Sequence, residues 1–256
     1  MIPTQKNMRA QAGFTLVELA IVMIIIGLLI AGVLKGQALI ANAQVTSTVA
    51  QVKAIEAATT TFKDTYSSLP GDMVSPATKL PNCAAAPCST AGNGDGSLTP
   101  GPEIAGSTAG EAHQFFIHLN AGSLLTGIVP GAGAAFDIFG GNLPAAKISG
   151  TGIVAGGTTG AAALVGAIGA VLPSGGSYLT ITGSPVTAVS AATSLATGLK
   201  PDQALRIDTK LDDGVPDTGE VRGAGATSAA AGCGIVGAYS TTIVTNACAL
   251  YIHFQS

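Results

Sequence analysis

The chain changes character at residue 14. A polar stretch containing Lys6 and Arg9 ends at Gly13, and from Phe14 to Leu34 the only ionisable side chain is Glu18. About 20 apolar residues in a helix span a hydrocarbon core of ~30 Å, so the pattern predicts a membrane-crossing helix over residues 14–34. A carboxylate one turn inside such a segment is costly unless it is paired, which makes Glu18 a functional candidate. Thr15, the other polar residue of that turn, is assigned a hydroxyl bonded to the backbone. The pattern then alters while the helix continues. From Lys35 to Tyr66 there is no proline, and Gly36 is the only glycine. Val45, Val49, Val52, Ile55, Thr59, Phe62 and Tyr66 recur at spacings of three and four, a stripe on one helical face. Lys53, Glu56, Lys63 and Asp64 fall mostly off it. The prediction is one helix from Phe14 to about Ser67, roughly 80 Å long at its rise per residue, stopped by Leu69-Pro70-Gly71. Its half over 14–34 is apolar all round. Its half over 35–67 is amphipathic and is predicted to lie on a globular head, residues 68–256. Gly27, Gly32 and Gly36 are weak points of the helix and places where another helix could pack closely.

The head reads as α+β. Residues 68–110 are rich in Gly, Pro, Ser and Thr and are predicted to be loop. Glu111 to Leu119 reads as a short helix with Phe115, Phe116 and Leu119 apolar. Residues 120–195 carry β-prone runs between glycines, among them Gly152-Ile153-Val154 and Ser177 to Thr182, and short antiparallel strands are predicted there. Pro201 suits the first turn of a second short helix, and Ala249 to Phe254 reads as a final strand.

Composition narrows the function classes. Charged residues make up 10% and the formal net charge is −3, so nucleic-acid binding has no electrostatic support. A low-charge chain outside its apolar segment suits a surface that packs against copies of itself. Enzyme signatures are absent: the sequence holds no HExxH, no GxSxG and no phosphate loop ending in GK[ST]. His113 and His118 are five apart and diverge on a helix instead of forming a ligand pair.

Lys6, Arg9, Gly13 and the run Phe14-Thr15-Leu16-Val17-Glu18 together resemble the prepilin signal of type IV pilins and type II secretion pseudopilins. The likeness covers about the first 55 residues. An ordinary secretory signal fits worse, because its cleavage site follows its apolar core; here the site precedes it. The resemblance implies removal of residues 1–13 by a prepilin peptidase, between Gly13 and Phe14, and N-methylation of Phe14. It implies pairing of Glu18 with the Phe14 amine of a neighbouring subunit. In an apolar medium each of those charges offsets much of the other's cost, and only one stagger of subunits brings them together. The implied fold is the pilin one, a long N-terminal helix packed on a head with an antiparallel β-sheet. The implied protein is a structural subunit, held in the inner membrane and polymerised by an assembly platform and its ATPase into a helical homo-oligomeric filament, extracellular or periplasmic. A type II secretion pseudopilin is the near alternative. A minor tip adhesin or a DNA-uptake subunit is the alternative of another class.

Two further sets of residues carry chemistry. Cys83, Cys88, Cys233 and Cys248 are an even number in an exported head, which points to two disulfides. Three pairings are open. Cys83–Cys88 with Cys233–Cys248 is favoured, each closing its own loop, and the second resembles the C-terminal disulfide loop of many type IV pilins. Zinc is disfavoured because no CxxC unit is present and the histidines lie far off in sequence. The second set is acidic. Asn93-Gly94-Asp95-Gly96 resembles the middle of a calcium loop, although Ala91 cannot ligate and Glu103 lies one residue beyond the usual glutamate. Asp208, Asp212, Asp213, Asp217 and Glu220 crowd a second loop. Calcium is the candidate ion at either; no cofactor is required. Solvated turns are the competing account, since Asn, Asp and Gly favour turns for backbone reasons.

Overall fold

The computed structural model describes residues 15–98, 110–130, 138–158, 168–169, 176–183 and 198–254. The chain divides into two compact units, Met1–Ala43 and Gln44–Ser256. One helix, α1 (Leu16–Tyr66), contributes to both.

In the first unit the side chains of α1 are exposed almost throughout. Leu16, Leu19, Met23, Leu28, Leu29 and Leu34 are among them. Among the described residues of this unit nothing covers that apolar surface. In the second unit the same helix is one-sided. Val45, Thr48, Val52, Ile55, Ala58, Thr59 and Phe62 are buried, with Val49 and Tyr66 partly so. The predicted stripe is therefore the packed face, widened by Thr48 and Ala58. Both buried threonines return their hydroxyls to the carbonyl one turn back, Thr48 to Gln44 and Thr59 to Ile55, each at 2.9 Å.

After α1 comes a largely irregular segment. It contains the single-turn helix α2 (Pro76–Lys79), where the sequence predicts only loop. Next are helix α3 (Glu111–Ala121), strands β1 (Gly152–Thr158) and β2 (Gly176–Thr182), and helix α4 (Pro201–Leu211). Strands β3 (Val221–Ala224), β4 (Gly234–Ile235), β5 (Ala238–Tyr239) and β6 (Ala249–Phe254) complete the described elements. The main sheet is antiparallel with order β1-β2-β6-β3. Alternation sorts its side chains. Ala155, Leu179, Ile252 and Val221 stand opposite one another across all four strands, and Ile153, Ile181 and Leu250 form a second row. Both rows join the core that holds Val52, Ile55 and Phe62 of α1. Tyr178, Ala224, Ala249 and Tyr251 form a separate buried cluster.

The architecture is α+β, a long N-terminal helix with an antiparallel four-stranded sheet, as the resemblance implies. The sequence predicts α3, β2 and β6 at nearly these bounds, the first part of β1 at Gly152–Val154, and the opening of α4 at Pro201. It does not predict β3, β4 or β5, which are two to four residues long. Helix α3 differs from expectation in depth: every residue from Glu111 to Leu119 is buried, polar ones included.

Candidate functional site

The described part of the N-terminal signal begins at Thr15; Gly13 and Phe14 lie outside the described residues. Thr15 stands just before α1, and Glu18 is the third residue of the helix. The Thr15 backbone N–H donates to Glu18 Oε2 at 2.9 Å, and the Thr15 hydroxyl donates to the same oxygen at 2.8 Å. The Glu18 N–H lies 3.3 Å from Thr15 Oγ1. This reciprocal pairing is a capping box, which satisfies donors that a helix start otherwise leaves bare. A carboxylate at that end also lies with the helix dipole. The sequence reading bonds the Thr15 hydroxyl to the backbone; the fold gives it the Glu18 carboxylate as well. The T-x-x-E spacing is the signal that reveals it. Beyond this turn α1 is long and apolar enough to cross a membrane, and its apolar stretch is unburied.

In the second unit the fold joins Cys83 to Cys88 and Cys233 to Cys248. Cys248 exchanges backbone hydrogen bonds with Leu199 in both directions at 2.9 Å, which anchors the C-terminal loop beside the start of α4. His118 is 30 residues from Cys88 in sequence, yet its ring comes within 4.8 Å of the Cys83 and Cys88 sulfurs. The cysteines are already joined, and both ring nitrogens of His118 are engaged. Nδ1 accepts the Gly71 N–H at 2.9 Å, so Nε2 carries the proton and donates to the Cys88 carbonyl at 3.1 Å. The Phe62 ring stacks on the imidazole, with centroids 6.5 Å apart. Burial pushes the His118 pKa down to about 4, against the Cys88 carbonyl, which favours the charged form. His118 ties helix α3 to Gly71 and Cys88 of the preceding segment.

The acidic loops have separate fates. In the second, the buried Asp208 accepts the Tyr239 hydroxyl at 2.7 Å and the Gly214 N–H at 3.0 Å. Burial, reinforced by Asp213 and Asp212, raises its pKa to about 6 against those two donors. Asp212 accepts the Glu220 and Val221 N–H groups, and Asp213 those of Val215 and the Thr218 hydroxyl. Asp208, Asp212 and Asp213 offer oxygens within 4.8 Å of one another. Asp217 does not join them; it accepts the Gly237 N–H at 2.6 Å, at the turn between β4 and β5. Glu220 pairs with His253.

In the first loop, Asn93 and Asp95 bond mainly to each other and to Ser97. Asp95 accepts the Ser97 N–H at 2.8 Å and the Asn93 amide at 3.0 Å, while Asn93 accepts the Asp95 N–H at 2.9 Å. Glu103 lies outside the described residues. The fold instead brings two acids that the sequence does not mark. Asp72, 2% exposed, accepts the N–H groups of Gly94 at 2.6 Å and Gly96 at 2.7 Å. Glu111, opening α3, accepts the Asn93 N–H at 2.8 Å. Asp72, Asp95 and Glu111 each offer an oxygen within 4.8 Å of the others. Burial first, then the charges of Glu111 and Asp95, raise the Asp72 pKa against its backbone donors. Gly92 permits the approach: a Cβ there would lie 2.6 Å from the Asp72 backbone.

Residues 8–34 match the family described as the prokaryotic N-terminal methylation motif, the signal that type IV pilins and pseudopilins carry. The match ends where the second half of α1 begins, so it speaks for the anchor and its processing rather than for the head. It points to a pilin-like or pseudopilin structural subunit, processed by prepilin peptidase and held at a membrane before assembly. Neither a curated protein nor a solved structure matches the chain.

Proposed function

We propose that the protein is a structural subunit of a type IV pilus-like filament, stored in the inner membrane and polymerised through the N-terminal half of α1. The observation that carries this reading is the methylation motif running directly into a helix whose apolar side chains are exposed on every face. Leader removal at Gly13 leaves a charged amine on Phe14. Glu18 is the only acid in the apolar segment, so it is the partner available to that amine in a neighbouring copy. The capping box holds its carboxylate at the helix start, where such an amine would arrive.

Glu18→Val tests this. The substitution makes the segment more apolar, so membrane insertion survives while filament assembly falls sharply. Normal filaments made only of the valine variant would sink the pairing role. Electron microscopy of sheared surface material, with mass spectrometry of its subunits, separates a surface pilus from a secretion pseudopilus. Intact mass of that material should lack residues 1–13 and carry one methyl group on Phe14.

A further inference from the structure

The two disulfides sit in different surroundings. Cys233 and Cys248 are both 0% exposed, and backbone hydrogen bonds between Cys248 and Leu199 pin their loop. Cys83 and Cys88 are 1% and 5% exposed, and the turn they close is exposed at Ala84, Ala85 and Ala86. None of those alanines has a side chain long enough to shield the bridge. A groove of about 360 Å³ opens beside the turn, lined by Ala85, Pro87 and Cys88 of the turn and by Ile117 of α3. Cys88 belongs to that lining and Cys83 does not. The volume falls in the range of small-ligand sites. No lining side chain is charged, and Asn82, Asn120 and Ser123 set amides and a hydroxyl between apolar surfaces. That mixture suits a short peptide, whose amides alternate with small apolar groups. The bridge also has a polar neighbour. A ring nitrogen of His118 lies within 4.8 Å of both sulfurs. Both half-cystines otherwise belong to the apolar core, and apolar surroundings disfavour a thiolate. The imidazole therefore eases the departure of one sulfur from the other.

We propose that Cys88 is a thiol–disulfide exchange site for a short peptide thiol seated in this groove. The peptide thiol gives its proton to solvent, and its thiolate attacks Cys88 Sγ. The Cys83–Cys88 bond breaks as the new bond to Cys88 forms. Cys83 leaves as a thiolate beside His118 and takes a proton from solvent. One thiol and one disulfide become one thiol and one mixed disulfide, so no further oxidant or reductant enters. Attack by Cys83 on the mixed disulfide reverses the step. Access and leaving group set the rate of such exchange, and both favour this bridge over Cys233–Cys248. The exchange frees the turn before α3 without opening the C-terminal loop. It does not depend on the filament reading.

The test uses the full-length protein in detergent micelles, with reduced glutathione as the peptide thiol. Free thiols are alkylated at intervals and the peptides mapped by mass spectrometry. Cys83–Cys88 should open at least about tenfold faster than Cys233–Cys248, with glutathione on Cys88 and the alkyl label on Cys83. In urea the two rates should converge, because the difference belongs to the fold. Ala85→Trp fills the groove from an exposed position and should slow the opening. Two single variants locate the sulfur directly: oxidised glutathione should modify Cys88 in Cys83→Ser about tenfold faster than Cys83 in Cys88→Ser. Equal opening rates in the folded protein overturn the site. So does glutathione on Cys83, a rate difference that persists in urea, or a wild-type rate in Ala85→Trp.

Discussion

The two units spend their apolar residues in opposite ways. Around Leu28 the apolar side chains of α1 are exposed on every face, whereas around Phe62 the same helix is one-sided and Val45, Val52, Ile55 and Phe62 of its apolar stripe are buried. Burying one large apolar side chain is worth about 1.5–3 kcal/mol, so a 20-residue segment that buries none leaves tens of kcal/mol unrealised in water. That deficit is what a bilayer, or a bundle of like helices, makes good. The second unit has its own core and lacks the deficit. The contrast teaches that α1 is one element by backbone and two by solvent: its first half is completed from outside the chain and its second half from within it.

The largest expected effect separates these halves. A protein lacking residues 1–43 should move from the detergent phase to the aqueous phase in a Triton X-114 partition and still melt cooperatively. A truncated protein that stays with the detergent would break the comparison. Next come single side chains. Phe62→Ala should cost the head about 3–5 kcal/mol in urea denaturation, while Leu28→Ala should leave the head's midpoint unchanged. Equal effects would mean that the first half of the helix supports the head.

Cys248→Ser should cost about 3 kcal/mol, the chain-entropy value for a loop of about 15 residues. The unfolding midpoint of Cys248→Ser against wild type, both without reductant, measures it, and the membrane partition should not change. A pH effect of similar size belongs to His118. Its folded value, about 4, lies below the unfolded one. Its contribution is therefore full above about pH 6.5 and is lost as pH falls through about 4, a change on the order of 3 kcal/mol. Asp208 runs the other way: raised to about 6, its contribution is full below about pH 4 and is lost as pH rises through about 6. The stability gap between wild type and His118→Gln isolates the histidine. It should shrink as pH drops from about 7 to below 4; a constant gap removes His118 from the acid response. The smallest effect falls on the first unit. Thr15→Val removes the hydroxyl of the capping box and should cost the start of α1 about 1 kcal/mol, read as faster amide exchange over the first turn with the head's stability unchanged.

The sequence by itself determined the elements that depend on near neighbours. The period of Val45, Val52, Ile55 and Phe62 needs only the helical repeat to become one face. The Thr15–Glu18 spacing needs only one turn, and the N-terminal signal is a contiguous string. Strand β6 was legible too, because Leu250, Ile252 and Phe254 alternate with Ala249, Tyr251 and His253. What the sequence could not place is what those elements meet. Only the tertiary structure puts the last strand inside the sheet, between β2 and β3, and sets Leu179 against Ile252. Only it brings His118 to the Cys83–Cys88 loop, and Asp72 and Glu111 to Asn93 and Asp95. The reason is physical: repeats and caps are fixed by backbone geometry within a turn or two, whereas these meetings arise when distant apolar faces close on one core and carry their polar neighbours with them. Asp72 and Glu111 look like ordinary turn and helix-start acids until α3 docks whole into the core and holds the two acids against the same loop.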